Sequence, residues 1–157
     1  MEETKLMHDE MLQLVSFKIG GEEFAVDIMQ VQEIIRMQNI TSVPNAPDFV
    51  EGVINLRGRV IPIIDLRKRF GMEEKEHDKA TRIIVVKVED ITVGLVVDEV
   101  SEVLRIPKDT VEPPPPIVAG VESEYIKGVG KLQDRLLILL DLSKTLSPEE
   151  KASLTMM

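Results

Sequence analysis

Side chains able to move a proton, hold a metal or attack a carbon are few in this chain and poorly placed for it. The two histidines, His8 and His77, fall in an acidic stretch (MEETKLMHDEM) and in the charged run Glu73 to Lys79, with no second histidine near either. Metal ligation and general-base work need such groups to converge, so both read as solvated residues. Cysteine is absent, which excludes disulfide and thiolate chemistry, and neither common spacing of a glycine-rich phosphate loop occurs. Asp65 and Asp141 are the remaining pair to consider as acid and base. Both stand at the same point of a repeated motif, which favours a helix-capping role in each copy. The pattern predicts no enzyme, no metal and no cofactor. Recognition chemistry is a better match: Arg57 carries a five-donor fork suited to a carboxylate or to backbone carbonyls on another protein, against the blander reading of an exposed hairpin arginine.

The elements that must position Arg57 are written twice. Phe49 to Phe70 (FVEGVINLRGRVIPIIDLRKRF) returns at an offset of 76 as Tyr125 to Leu146 (YIKGVGKLQDRLLILLDLSKTL), with Gly52/Gly128, Leu56/Leu132, Arg59/Arg135, Asp65/Asp141 and Lys68/Lys144 among the identities. VQEIIR (Val31 to Arg36) echoes in VSEVLR (Val100 to Arg105). Such recurrence means one supersecondary plan used in two halves, and what only one copy has becomes a candidate for function. The first turn is Asn55-Leu56-Arg57-Gly58, the second Lys131-Leu132-Gln133-Asp134. Strand alternation points Asn55 and Arg57 away from Leu56, and Gly58 frees the turn for positive φ.

Strand signals dominate elsewhere. Leu12 to Ile19, the turn Gly20-Gly21 and Phe24 to Ile28 predict a hairpin. Asp27 is expected to cap a short helix with Ile28, Val31, Ile34 and Ile35 on one face. Val53 to Leu56 and Val60 to Ile64 flank the Arg57-Gly58 turn, and Asp65 is expected to cap a helical turn closed by Gly71. Ile83 to Val88 and Ile91 to Val97 form a second hairpin through Glu89-Asp90. Pro113 to Pro116 must be extended, and Ser147-Pro-Glu-Glu150 carries the signature of a helix start. Many short strands at close spacing predict an all-β fold of small barrels rather than a doubly wound sheet. The expected division is residues 12–147 as one domain, with halves at about 12–72 and 80–147, followed by a C-terminal helix and tail over 148–157.

Composition narrows the partners. The 157 residues carry net charge −9 and 3% aromatics with no Trp, against a nucleic-acid face and against adhesion to an anionic membrane. No apolar run is long enough to span a bilayer, and the acidic start lacks the order of a signal peptide. A cytoplasmic protein is expected. The methionines near the first predicted helix, Met29 and Met37, suit either a binding face or ordinary packing. Glu33 recurs as Glu102, so a local pairing with Arg36 or Arg105 competes with a docking role.

Glu51 to Gly71, with VGLVVDEVSEVLRI (Val93 to Ile106) and the second copy, closely resembles the CheW family of chemotaxis coupling proteins. The likeness runs from about Leu12 to the C-terminal helix. It implies two five-stranded SH3-like β-barrels packed on a shared core, and a scaffold that couples receptor cytoplasmic tips to the histidine kinase CheA through the kinase's regulatory domain. It also implies recruitment to membrane-associated receptor arrays without membrane insertion. Carried over by position, Val31, Arg57, Ile83, Gly94, Val100 and Val103 would grip the receptor, and Ile28, Glu33 and Gly52 would face the kinase. A second kinase contact would fall at Glu112 and Ile117, on a loop that Pro113 to Pro116 stiffens. Fusions of the same module, in CheA or CheV, would add domains that do not fit in this length. A barrel binding oligonucleotides would need basic, aromatic grooves.

Overall fold

The computed structural model describes residues 11–118, 120–147, 150, 151 and 154. The strands are β1 (Met11–Ile19), β2 (Glu22–Asp27), β3 (Val31–Arg36), β4 (Val50–Leu56), β5 (Arg59–Asp65), β6 (Arg82–Val88), β7 (Ile91–Val97), β8 (Glu99–Pro107), β9 (Val111–Glu112), β10 (Ile117–Val118), β11 (Val121–Glu122), β12 (Ile126–Lys131) and β13 (Leu136–Leu140). Two single-turn helices, α1 (Leu66–Arg69) and α2 (Leu142–Thr145), follow β5 and β13. The fold is all-β, as the short alternating segments predict.

Two sheets share one strand plan. One runs β3-β6-β7-β5-β4; the other runs β8-β1-β2-β13-β12, with β9 added at its end. The duplication extends to irregularities. Register slips at Val50/Gly52 and at Ile126/Gly128, positions 76 apart, and bulges recur at Val31/Glu33 and at Val100/Glu102 in the echoed strands. In each sheet one strand runs parallel to its neighbour, β5 with β7 and β13 with β2. There Gly94 faces Ile63 and Ala25 faces Leu139, so a small residue occupies the same place in both.

The sheets do not follow the halves 12–72 and 80–147. Hairpin β1–β2 leaves the first half to join β8, β12 and β13, while β6–β7 joins β3, β4 and β5. The two lobes exchange their hairpins. Sequence periodicity reports a strand's facing but not its neighbour, which is why the exchange is invisible in the pattern.

The apolar residues divide accordingly. Ile54, Leu56, Ile61, Ile63, Ile83, Val85 and Val96 fill the interior of the β3–β7 lobe, and Leu14, Ala25, Ile106, Leu137 and Leu139 fill the other. A third and larger cluster takes residues from both lobes, including Val15, Phe17, Phe24, Ile64, Phe70, Ile84, Leu95, Ile138 and Leu140, and forms the seam. Phe17, Phe24, Phe70 and Tyr125 run through it with ring centroids 6.1, 5.9 and 5.8 Å apart.

The helix expected from Ile28 to Ile35 is a strand. Asp27 does accept the Met29 amide at 2.9 Å, but it caps only a three-residue 3-10 turn, Ile28–Gln30. The β-branched residues Val31, Ile34 and Ile35 favour the pleated conformation, and β3 pairs along β6. Asp65 caps α1 as expected, accepting the Arg67 and Lys68 amides at 2.9 and 3.4 Å. Asp141 does not: its side chain takes the Ser143 hydroxyl, and its carbonyl receives the Thr145 amide. The Ser147–Glu150 capping box forms in both directions, at 2.7 and 3.1 Å.

Candidate functional site

The Arg57-Gly58 turn is a two-residue hairpin with Leu56 opposite Arg59, and both turn residues take positive φ, 52° and 83°. That is the mirror-image turn whose twist matches the flanking strands. Asn55 stabilises it by accepting the Gly58 amide at 2.9 Å. In the second copy neither Gln133 nor Asp134 has positive φ, so the two hairpin tips differ in shape as well as in residue type.

The fork of Arg57 donates to the carboxylate of Glu33 on β3, while the arginine side chain stays 68% exposed. Neither Arg36 nor Arg105 takes that role. The other lobe builds a counterpart from different positions: Arg135 bridges Glu23 at 2.6 Å and Glu102 at 2.8 Å. Each lobe thus ties its outer strand, β3 or β8, to its hairpin through one arginine. In the first that arginine is a central turn residue, whereas in the second it closes the turn, its carbonyl accepting the Leu132 amide at 2.9 Å.

Of the positions implied for a receptor groove, Val31 and Val100 are half-buried against the seam core, and Val103 is 61% exposed on β8. Ile83 and Gly94 belong elsewhere. Ile83 is fully buried, and a Cβ on Gly94 would lie 2.7 Å from Ile63 and 2.8 Å from Ile83. Both therefore line the lobe interior rather than its surface. Gly52, implied as kinase-facing, is also structural. Its φ is +152°, and a Cβ there would come 2.2 Å from the Thr41 carbonyl oxygen, which accepts the Val53 amide. Ile28 is half-buried on the 3-10 turn, three residues before β3 begins and five before Glu33. Glu112 and Ile117 lie apart from these, on the second sheet's outermost strand and on the small β10–β11 hairpin. Glu112 pairs with Lys131 at 3.1 Å, and Ile117 is 64% exposed.

Sequence reasoning placed Ile34 on a helix face with Val31 and Ile35, left Met29 between a binding face and packing, and missed the tethers of α1. Ile34 is exposed on β3, at the place equivalent to Val103, and Met29 is the most exposed large apolar side chain among the described residues. Reading β3 as a strand would have turned Ile34 outward by alternation. Arg67 donates to Asp98 at 3.0 and 2.6 Å, and Gly20 donates its amide to the same carboxylate. Burial pushes the Asp98 carboxyl up, but the Arg67 bonds, the Gly20 amide and the nearby positive charges outweigh it and hold it below the usual range. Arg69 makes a bidentate pair with Glu150 at 2.7 and 2.8 Å, donates to the Thr145 carbonyl, and lies 4.9 and 5.2 Å from the Phe49 and Tyr125 rings. These long-range partners carry no local signature.

His77 lies 3.9 Å from Glu51, and His8 is outside the described residues. Burial, then a hydrogen bond and the negative charge of Asp65, raise the Glu51 carboxyl, while His77 and Lys68 pull it the other way. No group of three metal-ligating side chains occurs among the described residues, and no helix among them is long and apolar enough to cross a membrane.

Comparison with known proteins agrees with this geometry. The family model described as the CheW-like domain matches residues 13–150. A chemotaxis protein CheW from Klebsiella aerogenes is 43% identical over 136 residues, covering 87% of this chain and 82% of the relative. A second, from Treponema pallidum, is 37% identical over 148 residues, covering 92% and 87%. The crystal structure of a scaffolding protein, TtCheW from Thermoanaerobacter tengcongensis, superposes with a TM-score of 0.81 at 37% identity, covering 88% of this chain and 90% of that one.

Proposed function

Because the chain belongs to the CheW-like domain family, we propose that it is a non-catalytic chemotaxis adaptor that couples the cytoplasmic tips of chemoreceptors to the histidine kinase CheA. Family membership over residues 13–150 supports the adaptor role. The observation that carries the site is the exposed Arg57 fork on a turn that the second copy lacks. In this reading Arg57, Val31, Val100 and Val103 meet the receptor helix, with Ile83 and Gly94 setting the shape beneath them. Apolar side chains beside a charged rim suit an amphipathic helix laid in a groove, and one anchoring arginine can fix its register.

Ile28 and Glu33 would face the regulatory domain of CheA, and Glu112 with Ile117 would form its second contact. The protein works in the cytoplasm and reaches the membrane only through receptors. Contacts near 800 Å² per partner would keep the assembly reversible.

Co-sedimentation with receptor-containing membranes, with and without CheA, tests the proposal. The wild-type chain should sediment with the membranes. Arg57→Glu should lower the bound fraction at least about fivefold, the order expected for losing an interface anchor, with an unchanged circular dichroism spectrum. Equal sedimentation of both proteins would remove Arg57 from the site.

A further inference from the structure

Half of the described lysines and arginines of this acidic protein face a carboxylate. Lys18, Arg57, Arg67, Lys68, Arg69, Lys75, Lys131 and Arg135 all do. Of those without one, three gather in a single cleft, Arg36, Lys79 and Arg82. At the end of β3 and the start of β6, an open cleft of about 390 Å³ is lined by Arg36, Met37, Asp78, Lys79, Thr81 and Arg82. Arg36 and Arg82 stand directly opposite each other across the two strands. Among the described residues, neither Arg36 nor Lys79 has an ion-pair or side-chain hydrogen-bond partner. Arg82 spends one nitrogen on the carbonyls of Lys79 and Thr81, at 2.7 and 2.9 Å, and has no carboxylate.

Asp78 does not neutralise them. Its Oδ1 accepts the amides of Ala80 and Thr81 and the Thr81 hydroxyl, and its Oδ2 pairs with Lys75 at 3.5 Å. Like charges directly opposite on neighbouring strands destabilise a sheet. Two guanidinium forks beside a lysine therefore cost the free protein stability, and an anion would recover it.

We propose that this cleft binds an acidic segment of a protein partner, with adjacent Glu or Asp side chains taken up by the Arg36 and Arg82 forks. Cross-strand arginines sit about 5 Å apart at Cα, a separation that two carboxylates on one extended peptide can match fork to fork. Met37 supplies an apolar wall for the side-chain stems. A polyphosphate chain needs a basic face over many contacts, and three cations beside Asp78 in one cleft do not supply it. None of the lining residues belongs to the docking surfaces proposed above, so the inference stands or falls apart from them.

The test is fluorescence anisotropy of a fluorescein-labelled peptide, Gly-Glu-Glu-Val-Glu-Glu-Gly, titrated with the full chain at about 0.05 M salt, where surface charges are weakly screened. Binding should weaken at least about tenfold when Gln replaces each Glu or when salt is raised to about 0.5 M. Arg36→Glu should abolish binding yet melt at the same temperature as wild type or up to about 4 °C higher, because a repulsive cross-strand pair becomes attractive. Should Arg36→Glu fail to fold, the exposed Lys79→Glu serves in its place, with binding lost and Tm unmoved. Lys87→Ala, outside the cleft, should bind as wild type. Equal affinity for the Gln peptide, undiminished binding by the variants, or displacement of the peptide by an equal concentration of inorganic phosphate would each overturn the proposal.

Discussion

At the scale of single residues, an implied role in docking divides into touching a partner and shaping the surface that does. Gly52 and Arg57 are five residues apart and represent the two kinds. Gly52→Ala would force a Cβ against the Thr41 carbonyl from a backbone region that side chains rarely adopt, at a cost of about 3 kcal/mol. A urea titration should show the loss in the fold itself, before any binding assay. Arg57→Glu breaks an exposed ion pair and sets a second carboxylate beside Glu33, effects each worth about 0–1 kcal/mol at such a surface, so its midpoint should move little while binding falls. Titration follows the same logic. The Asp98 carboxyl is held low by Arg67 and Gly20, so its stabilising effect is present above the ordinary carboxylate range and fades as pH falls through the lowered value. Glu51, held high beside Asp65, has the opposite sign: what it adds below the ordinary range is lost as pH rises through its raised value. Between pH 3 and 7 (about the span over which carboxylates titrate), Asp98→Asn should flatten the acid limb of the stability curve. Glu51→Gln should instead gain stability relative to wild type as pH rises.

Among the elements, α1 has the most to hold. Four residues long, it joins β5 to the seam through Leu66, reaches Asp98 through Arg67, and holds Glu150 of the Ser147 capping box through Arg69. Glu150→Gln removes one charge from a bidentate pair that is mostly shielded from water and also weakens the Ser147 capping box. It should cost about 1–2 kcal/mol and raise amide exchange around Leu142 to Ser147 more than in β5. The cap at Asp65 and the box at Ser147 were legible in the sequence because both are contacts within three residues. The partners of Arg67 and Arg69 were not, since they come from 31 and 81 positions away. Strand β3 was misread for a different reason. Val31, Ile34 and Ile35 fit the helical spacing as well as they fit a strand broken by a bulge, and only pairing with β6 decides between them.

For the whole molecule, the repeat showed that there are two lobes of one plan, and it located the asymmetric turn between them. It did not show the exchange of hairpins, because interchangeable copies leave the choice of partner to the seam rather than to local pattern. That exchange makes the halves interdependent. A fragment of residues 1–75 holds β1 and β2 without their neighbours β8 and β13, and should be unfolded alone by circular dichroism. Mixing it with 76–157 should restore the β spectrum, since each piece supplies the hairpin the other lacks. Independent folding of either fragment would contradict the exchanged topology.

The adaptor reading itself is tested most directly by receptor control of CheA autophosphorylation in a mixture of receptor membranes, CheA and this protein. Adding the wild-type chain should make the rate of phosphate incorporation depend on receptor ligand, and adding Arg57→Glu should leave it ligand-independent. A rate that is the same with and without the wild-type chain, at every ligand concentration, would contradict the account.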